Sequence, residues 1–137
     1  MSDYTGWWSS IKAADLDNDG DMDLILGNEG QNLHYQPTTD SPLVMYINDF
    51  DNNGTIEQIT TIRKNGKDFP IHQKKEITSQ MSSLKKQNLK ASDYAQRSID
   101  GIFSAESLEN SIKKTVYYSQ SMLAINDGKG NFTLKPL

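Results

Sequence analysis

The sequence predicts a mainly β chain that carries a helical insertion, and three observations lead there. Short apolar runs flank two acidic, glycine-containing loops, at 15–23 and 49–57. From Pro70 to Asn110 the apolar spacing changes from that of a strand to that of a helix. After Thr115, strand-like runs return around an Asn126-Asp-Gly128 turn. The division expected from this pattern is 1–69 for two loop-bearing repeats, 70–114 for the helical insertion and 115–137 for a returning β-hairpin, all within one domain.

Each element has its own justification. Ile11-Lys-Ala-Ala14 and Leu24-Ile25-Leu26 read as strands on either side of the first loop, the second of them stopped by Gly27-Asn28. Leu43-Val-Met-Tyr-Ile47 precedes the second loop, and Ile56, Ile59 and Ile62 follow it among polar residues. Each repeat is thus strand, loop, strand. In the insertion, Ile77, Met81 and Leu84 recur at i, i+4, i+7, and Ala95, Ile99, Ile102 and Phe103 at i, i+4, i+7, i+8. Ser92 is the expected N-cap of the second helix, which Gly101 weakens near its end. Ser104 is the expected N-cap of a short third helix with Leu108 and Ile112 on one face. The pairs Lys74-Lys75, Lys85-Lys86 and Lys113-Lys114 read as solvated faces, with protein contact as the alternative use of the insertion. Val116-Tyr-Tyr118, Met122-Leu-Ala-Ile125 and Phe132-Thr-Leu134 are the closing strand segments.

The chemistry sits in the loops. Asp15-Leu-Asp17-Asn-Asp19-Gly20-Asp21-Met-Asp23 is answered 34 positions later by Asp49-Phe-Asp51-Asn-Asn53-Gly54-Thr55-Ile-Glu57. Carboxylates packed this closely repel one another unless a cation sits among them. Hard divalent cations, calcium above all, take oxygen ligands and need a glycine where the loop bends around the ion. An EF-hand is excluded, because its closing ligand at the twelfth position would be Leu26 or Thr60. The acid instead falls at the ninth position, as Asp23 or Glu57, and strands rather than helices flank it.

The pattern D-x-D-x-[DN]-G-x-x-[DE] between strands resembles the FG-GAP repeat, also seen as the VCBS-type repeat, of calcium-binding β-propellers such as the integrin α head. Gly6-Trp7-Trp8 before the first loop, Leu26-Gly27-Asn28-Glu-Gly30 after it, and the segments Lys67-Asp-Phe-Pro70, Leu84-Lys-Lys86 and Asn126-Asp-Gly-Lys-Gly-Asn-Phe132 are similar, more loosely, to bacterial repeat proteins of this type. The resemblance implies two Ca²⁺ ions. One would take side-chain oxygens of Asp15, Asp17, Asp19 and Asp23 and the carbonyl of Asp21. The other would take Asp49, Asp51, Asn53 and Glu57 and the carbonyl of Thr55. Asn53 is neutral and Glu57 is longer than Asp, so the second site is expected to be the weaker and to empty first. Propellers need four to eight blades of about four strands, and this chain has strands for about two. The expected fold is therefore a set of propeller-like antiparallel blades from a larger propeller, with remaining blades or self-association covering the edges.

Composition narrows the remaining classes. The net charge of −4 hides a division: Asp15, Asp17, Asp19, Asp21, Asp23, Asp49, Asp51 and Glu57 lie in the loops, and the other ten acids face 14 bases. Two Ca²⁺ would bring the molecule near neutrality. Nucleic acid is not an expected partner, because the loop face is acidic and the basic residues are diffuse. No run is apolar enough for membrane insertion, and Met1-Ser-Asp-Tyr4 leads straight into polar sequence. There is no cysteine, and His34 and His72 stand in no zinc-hydrolase spacing. No G-x-S-x-G elbow accompanies the serines, and Gly27-Asn-Glu-Gly30 lacks the Lys-Ser/Thr of a phosphate loop. The close carboxylate pairs are used as ligands, which leaves none for glycoside hydrolysis. Trp7 and Trp8 allow sugar stacking, with at least one of them expected in the core. The expectation is a calcium-binding module of an exported or cell-surface protein (extracellular or periplasmic), structural or binding in role, with a protein or carbohydrate ligand and no catalysis of its own. The alternative is a non-catalytic part of a calcium-dependent enzyme acting on polysaccharide or lipid.

Overall fold

In the computed structural model, residues 4–87 and 90–137 are described, with only the backbone of Lys86 and Gln87; the leading Met1-Ser-Asp and the Lys86 side chain lie outside the described residues. In chain order the elements are β1 (Trp8–Ala14), β2 (Asp23–Asn28), β3 (Leu43–Asn48), β4 (Glu57–Lys64), β5 (Lys67–Pro70), α1 (Lys74–Gln80), α2 (Ala91–Ala95), α3 (Ala105–Glu109), β6 (Ile112–Val116), β7 (Met122–Asn126) and β8 (Phe132–Pro136). Short 3-10 turns stand at Gly30–Asn32, Ser82–Gln87 and Ile99–Gly101. The chain is mainly β, with two four-stranded sheets, and it divides into two compact units. One unit is Met1–Thr39 with Val116–Leu137; the other is Asp40–Thr115. The loop at 15–23 and the C-terminal hairpin share the first unit, while the loop at 49–57 shares the second with the helical segment.

The first unit is the sheet β1-β2-β7-β8, each neighbour antiparallel to the next. Met122 and Ala124 of β7 are its buried apolar centre. β1 is an edge strand, exposed along nearly its whole length. Trp8, its first residue, is exposed for that reason, and Trp7 just before it is half-buried, against the expectation that at least one of the pair lies in the core. The Trp8 ring lies 6.4 Å from that of Tyr118 in stacked orientation, and its Nε1 donates to the Tyr4 carbonyl at 2.8 Å. The expected strand over Val116-Tyr-Tyr118 is shorter than it reads: β6 ends at Val116, and Tyr118 makes only a single bridge to Gly6.

The second unit is the sheet β5-β4-β3-β6 with the helical segment packed on it. β4 turns Glu57, Ile59 and Thr61 inward, all nearly free of solvent, and leaves Ile56 exposed and Ile62 half-buried. The inward set therefore differs from the Ile56, Ile59, Ile62 series. A strand has period two, so Ile59 can share a face with residues 57 and 61 but not with 56 or 62. Thr61 is accommodated because its hydroxyl donates to the Val44 carbonyl at 2.9 Å. Asn65 and Gly66, at φ of 51° and 75°, form the tight turn from β4 into β5, as an Asn-Gly pair favours. Behind this sheet Ile77, Met81, Leu84, Tyr94, Ile99, Ile102 and Phe103 join Val44, Tyr46, Phe50 and Ile59 in one core.

The helical stripes are broken where the sequence suggests continuity. α1 ends at Gln80, with Met81 extended and Leu84 in the 3-10 turn that follows. Thr78 and Ser79 hydroxyls donate back to the Lys75 and Glu76 carbonyls at 3.3 and 2.6 Å, competing with the helix ladder. α2 stops at Ala95, and Tyr94 rather than Ala95 is its buried residue. Its N-cap is Lys90, not Ser92. Ser104 does cap α3, accepting from the Ser107 amide at 3.2 Å. Leu108 packs against the core, but Ile112 already belongs to β6 and is exposed.

Candidate metal centres

Both loops close β-hairpins of the same register. The residue before each loop pairs with the ninth-position acid, Ala14 with Asp23 and Asn48 with Glu57. Each loop therefore begins and ends at one rung of a ladder, and its backbone must reverse within it. The reversal uses left-handed residues at the same two places: Asn18 and Asn52 at φ of 62° and 55°, Gly20 and Gly54 at 94° and 86°. Asparagine and glycine are the residues that enter this region at least cost. The paired asparagines are a signal the acidic pattern overshadowed.

Hydrogen bonds hold the acids in matching positions. Asp15 accepts the Asn18 and Gly20 amides at 2.7 and 3.2 Å, and Asp49 accepts those of Asn53 and Gly54 at 3.0 and 2.8 Å. Asp19 accepts the Asp21 amide at 2.9 Å; Asn53 Oδ1 accepts the Thr55 amide at 2.7 Å. The neutral Asn53 thus performs the same backbone task as its charged counterpart. The ninth-position acid reaches back to the second residue of its loop: Asp23 Oδ2 takes the Leu16 amide at 2.8 Å, and Glu57 Oε2 takes the Phe50 amide at 2.9 Å.

Two groups of acids result that could hold a metal ion. In the first loop, carboxylate oxygens of Asp15, Asp17 and Asp19 lie within 4.8 Å of one another; in the second, those of Asp49, Asp51 and Glu57 do. Oxygens on opposite sides of a calcium ion, each about 2.3–2.6 Å from it, span a similar distance. Asp23 is outside the first group. Its carboxylate is fully buried, and Oδ1 takes the Asn126 amide at 2.8 Å while Oδ2 holds Leu16. Asn53 stands in the second loop as a backbone clamp. Asp21 and Thr55 are the seventh residues of their loops, where the resemblance calls on the carbonyl.

The surroundings of the two groups differ. Asp15, Asp17 and Asp19 are all exposed. Partial desolvation, then the charges of Asp19 and Asp23, raises the Asp17 carboxyl above the ordinary carboxylate range; desolvation, then Asp19, Asp23, Asp127 and Asp15, does the same to Asp21. In the second group Glu57 is only 3 % exposed. Its Oε1 and the Oδ1 of Asp51 are buried without a hydrogen-bond partner. A buried acceptor left unsatisfied costs about 1–3 kcal/mol, and more when charged. A cation is the partner that suits two such oxygens beside a third carboxylate, so the donor set fits a hard divalent ion.

The turn at 127–131 has another purpose. Asp127 Oδ1 accepts the Lys129 and Asn131 amides at 2.9 and 3.0 Å, and Oδ2 accepts Asn131 Nδ2 at 2.8 Å. Those bonds, the Asn131 side chain foremost, hold the Asp127 carboxyl below the ordinary range. The turn also reaches the first loop, since Asn126 Nδ2 donates to the Met22 carbonyl at 3.3 Å. Of the histidines, His34 is exposed, and His72 accepts the Thr60 amide through Nε2 at 3.4 Å. Comparison of the chain with protein-family models, with curated proteins and with solved structures returns no match.

Proposed function

We propose that the chain is a calcium-binding module whose two hairpin loops each take one Ca²⁺, in a propeller-like repeat of the FG-GAP or VCBS type. The observation that carries this reading is the pair of buried, unpartnered oxygens on Asp51 and Glu57, set beside Asp49 in a loop that shares three side-chain clamps with the first. Asp49, Asp51 and Glu57 would hold one ion, and Asp15, Asp17 and Asp19 the other. The ion supplies the positive charge that lets these carboxylates stand together. Asp23 acts as the strut that ties the first loop to Asn126. Four-stranded sheets are of blade size, which supports the repeat reading. Extracellular calcium modules bind at about 10⁻⁴–10⁻³ M, so the proposed setting is outside the cytosol, with calcium bracing the fold.

The first loop carries five acids and the second three, so charge summed over the whole loop ranks the first site above the second. Burial reverses that order, because oxygens already desolvated and without partners gain most from a cation, whereas exposed ones are screened by water and salt. The second loop is therefore the tighter site in this reading. Calorimetric titration of the chain with Ca²⁺ and Mg²⁺ tests it. Two Ca²⁺ events and weaker Mg²⁺ binding are expected, with Glu57→Gln removing the tighter event and Asp17→Asn the weaker. A flat Ca²⁺ titration would overturn the proposal.

A further inference from the structure

We infer that the cation at the second loop controls the order of the helical segment from α1 to α3, so that calcium switches that segment between a docked and a loosened state. The inference rests on the reading of the second loop as a cation site. Its support is a set of three ties that run from this loop into three successive parts of the segment. Glu57 Oε2 fixes the Phe50 amide, and the Phe50 ring packs on Phe103 with centroids 4.5 Å apart. Asp51 Oδ2 accepts from the Ser83 hydroxyl at 3.4 Å, within the 3-10 turn after α1. Asn48, the residue that closes the loop's rung, donates through Nδ2 to the Ser107 carbonyl of α3 at 2.9 Å.

The first loop supplies an internal contrast at the same positions. Leu16 stands where Phe50 does and is 38 % exposed. Asp17 stands where Asp51 does and is exposed. Ala14 stands where Asn48 does and has no side-chain amide to offer. The two loops thus share a backbone and differ in the side chains that face outward from it. In the second loop these are the side chains that reach the helices.

The helices themselves need such support. α1 has seven residues, and α2 and α3 have five each; helices this short are held by tertiary packing and not by their own propensity. Segments of that kind open locally at the low end of a protein's stability range. Without a counter-charge the carboxylates of Asp49, Asp51 and Glu57 repel one another. Any of them that swings away takes its tie with it: Glu57 releases Phe50, and Asp51 releases Ser83. With the cation bound, Asp51 and Glu57 would each have one oxygen for the ion and keep the other on its tie, while Asp49 holds the loop's own amides.

Hydrogen–deuterium exchange of the intact chain, in Ca²⁺ and in chelator, tests this with calorimetry run alongside. Calcium is expected to slow exchange in the segment 74–109 at least tenfold, and more than in β2 or β7. Asp17→Asn should leave that protection in place, and Glu57→Gln should remove it together with the tighter binding event. Ser83→Ala and Phe50→Leu should keep calcium binding while shrinking the difference in protection between Ca²⁺ and chelator, which lost packing alone would not do. Calcium binding at the second loop with unchanged exchange in 74–109 overturns the inference alone. Protection spread equally over both units also overturns it, since it would report general bracing. Absence of calcium binding at that loop overturns the reading on which it rests as well.

Discussion

The two loops are one piece of backbone in two environments. Their ladders close at the same rung, their left-handed residues fall at the same places, and their first acids each clamp the amide of the loop glycine. The first loop nevertheless leaves Asp15, Asp17 and Asp19 exposed, while the second buries one oxygen each of Glu57 and Asp51 without a hydrogen-bond partner. Even the shared strut differs. The second oxygen of Asp23 goes to Asn126, whereas that of Glu57 is left over. A repeated motif therefore specifies loop geometry, and what surrounds it decides how much a cation matters. Counting formal charges alone ranks the loops the wrong way round if burial dominates.

The largest test of that contrast uses the residue after the first acid of each loop. Phe50 belongs to the core and lies on Phe103, so Phe50→Ala should cost about 3–5 kcal/mol. Leu16→Ala, at the corresponding exposed position, should stay within about 0.5 kcal/mol of wild type. Urea unfolding of both variants measures the difference. Equal losses would mean that the first loop has a packed environment after all.

Next in size is the cation itself. An ion that binds the folded but not the unfolded chain adds about 2.7 kcal/mol at a hundredfold excess over its Kd. Glu57→Gln should remove that increment at the second loop and leave the melting temperature in chelator nearly unchanged. Asp17→Asn should remove a smaller increment, because the first site reaches a hundredfold excess only at higher calcium. Thermal melts across a calcium series separate the two. A larger loss of calcium response in the Asp17 variant would restore the order that charge alone suggests.

A third comparison tests what the loops have in common. Asn18 and Asn52 both stand at positive φ, where an ordinary side chain costs about 1–2 kcal/mol. Asn18→Ala and Asn52→Ala should therefore destabilise by similar amounts of about 1 kcal/mol, and the corresponding glycine variants by little. Unequal alanine losses in chelator would show that the backbones are not equivalent.

How much of this was readable beforehand follows from the range of each interaction. The hairpins and the acid groups are local: clustered Asp residues, a glycine at the bend and strands on either side lie within a dozen positions. The expected hairpin after β7 is present too, with Asn126 opposite Phe132, though its turn spans 127–131. The inward face of the insertion was largely legible from Ile77, Met81 and Leu84, but helix continuity was not, because serine and threonine hydroxyls compete with the ladder. The partners of Asp23, Phe50 and Asp51 lie 103, 53 and 32 positions away, at Asn126, Phe103 and Ser83. No periodicity in the chain carries contacts of that range. The exposure of Trp8 was hidden for the same reason, since edge position depends on which strands pair.

The smallest expected effect separates the second unit's own stability from its cation. Asp68 is buried, which disfavours its charge, but the Arg63 guanidinium and the Tyr46 hydroxyl offset this through bonds of 2.7 and 2.6 Å. With the charges of Arg63 and Lys113 added, the carboxyl is held below its ordinary value of 3.8. A carboxylate whose folded pKa is depressed binds fewer protons in the folded than in the unfolded chain through that window. Its contribution is complete above pH 3.8 and is lost as pH falls through the lower folded value. Arg63 is 43 % exposed, so after solvent screening the contribution should be under about 1 kcal/mol. Asp68→Asn should flatten this part of the acid limb. The difference between variant and wild type, followed by urea unfolding in chelator from neutral pH downwards, isolates it from the other acids. Because the Arg63–Asp68–Tyr46 network uses none of the loop ligands, Asp68→Asn should leave the calcium increment at pH 7 intact. A loss of that increment would mean that the sheet behind the second loop, and not only Phe50, Ser83 and Ser107, takes part in reading the cation.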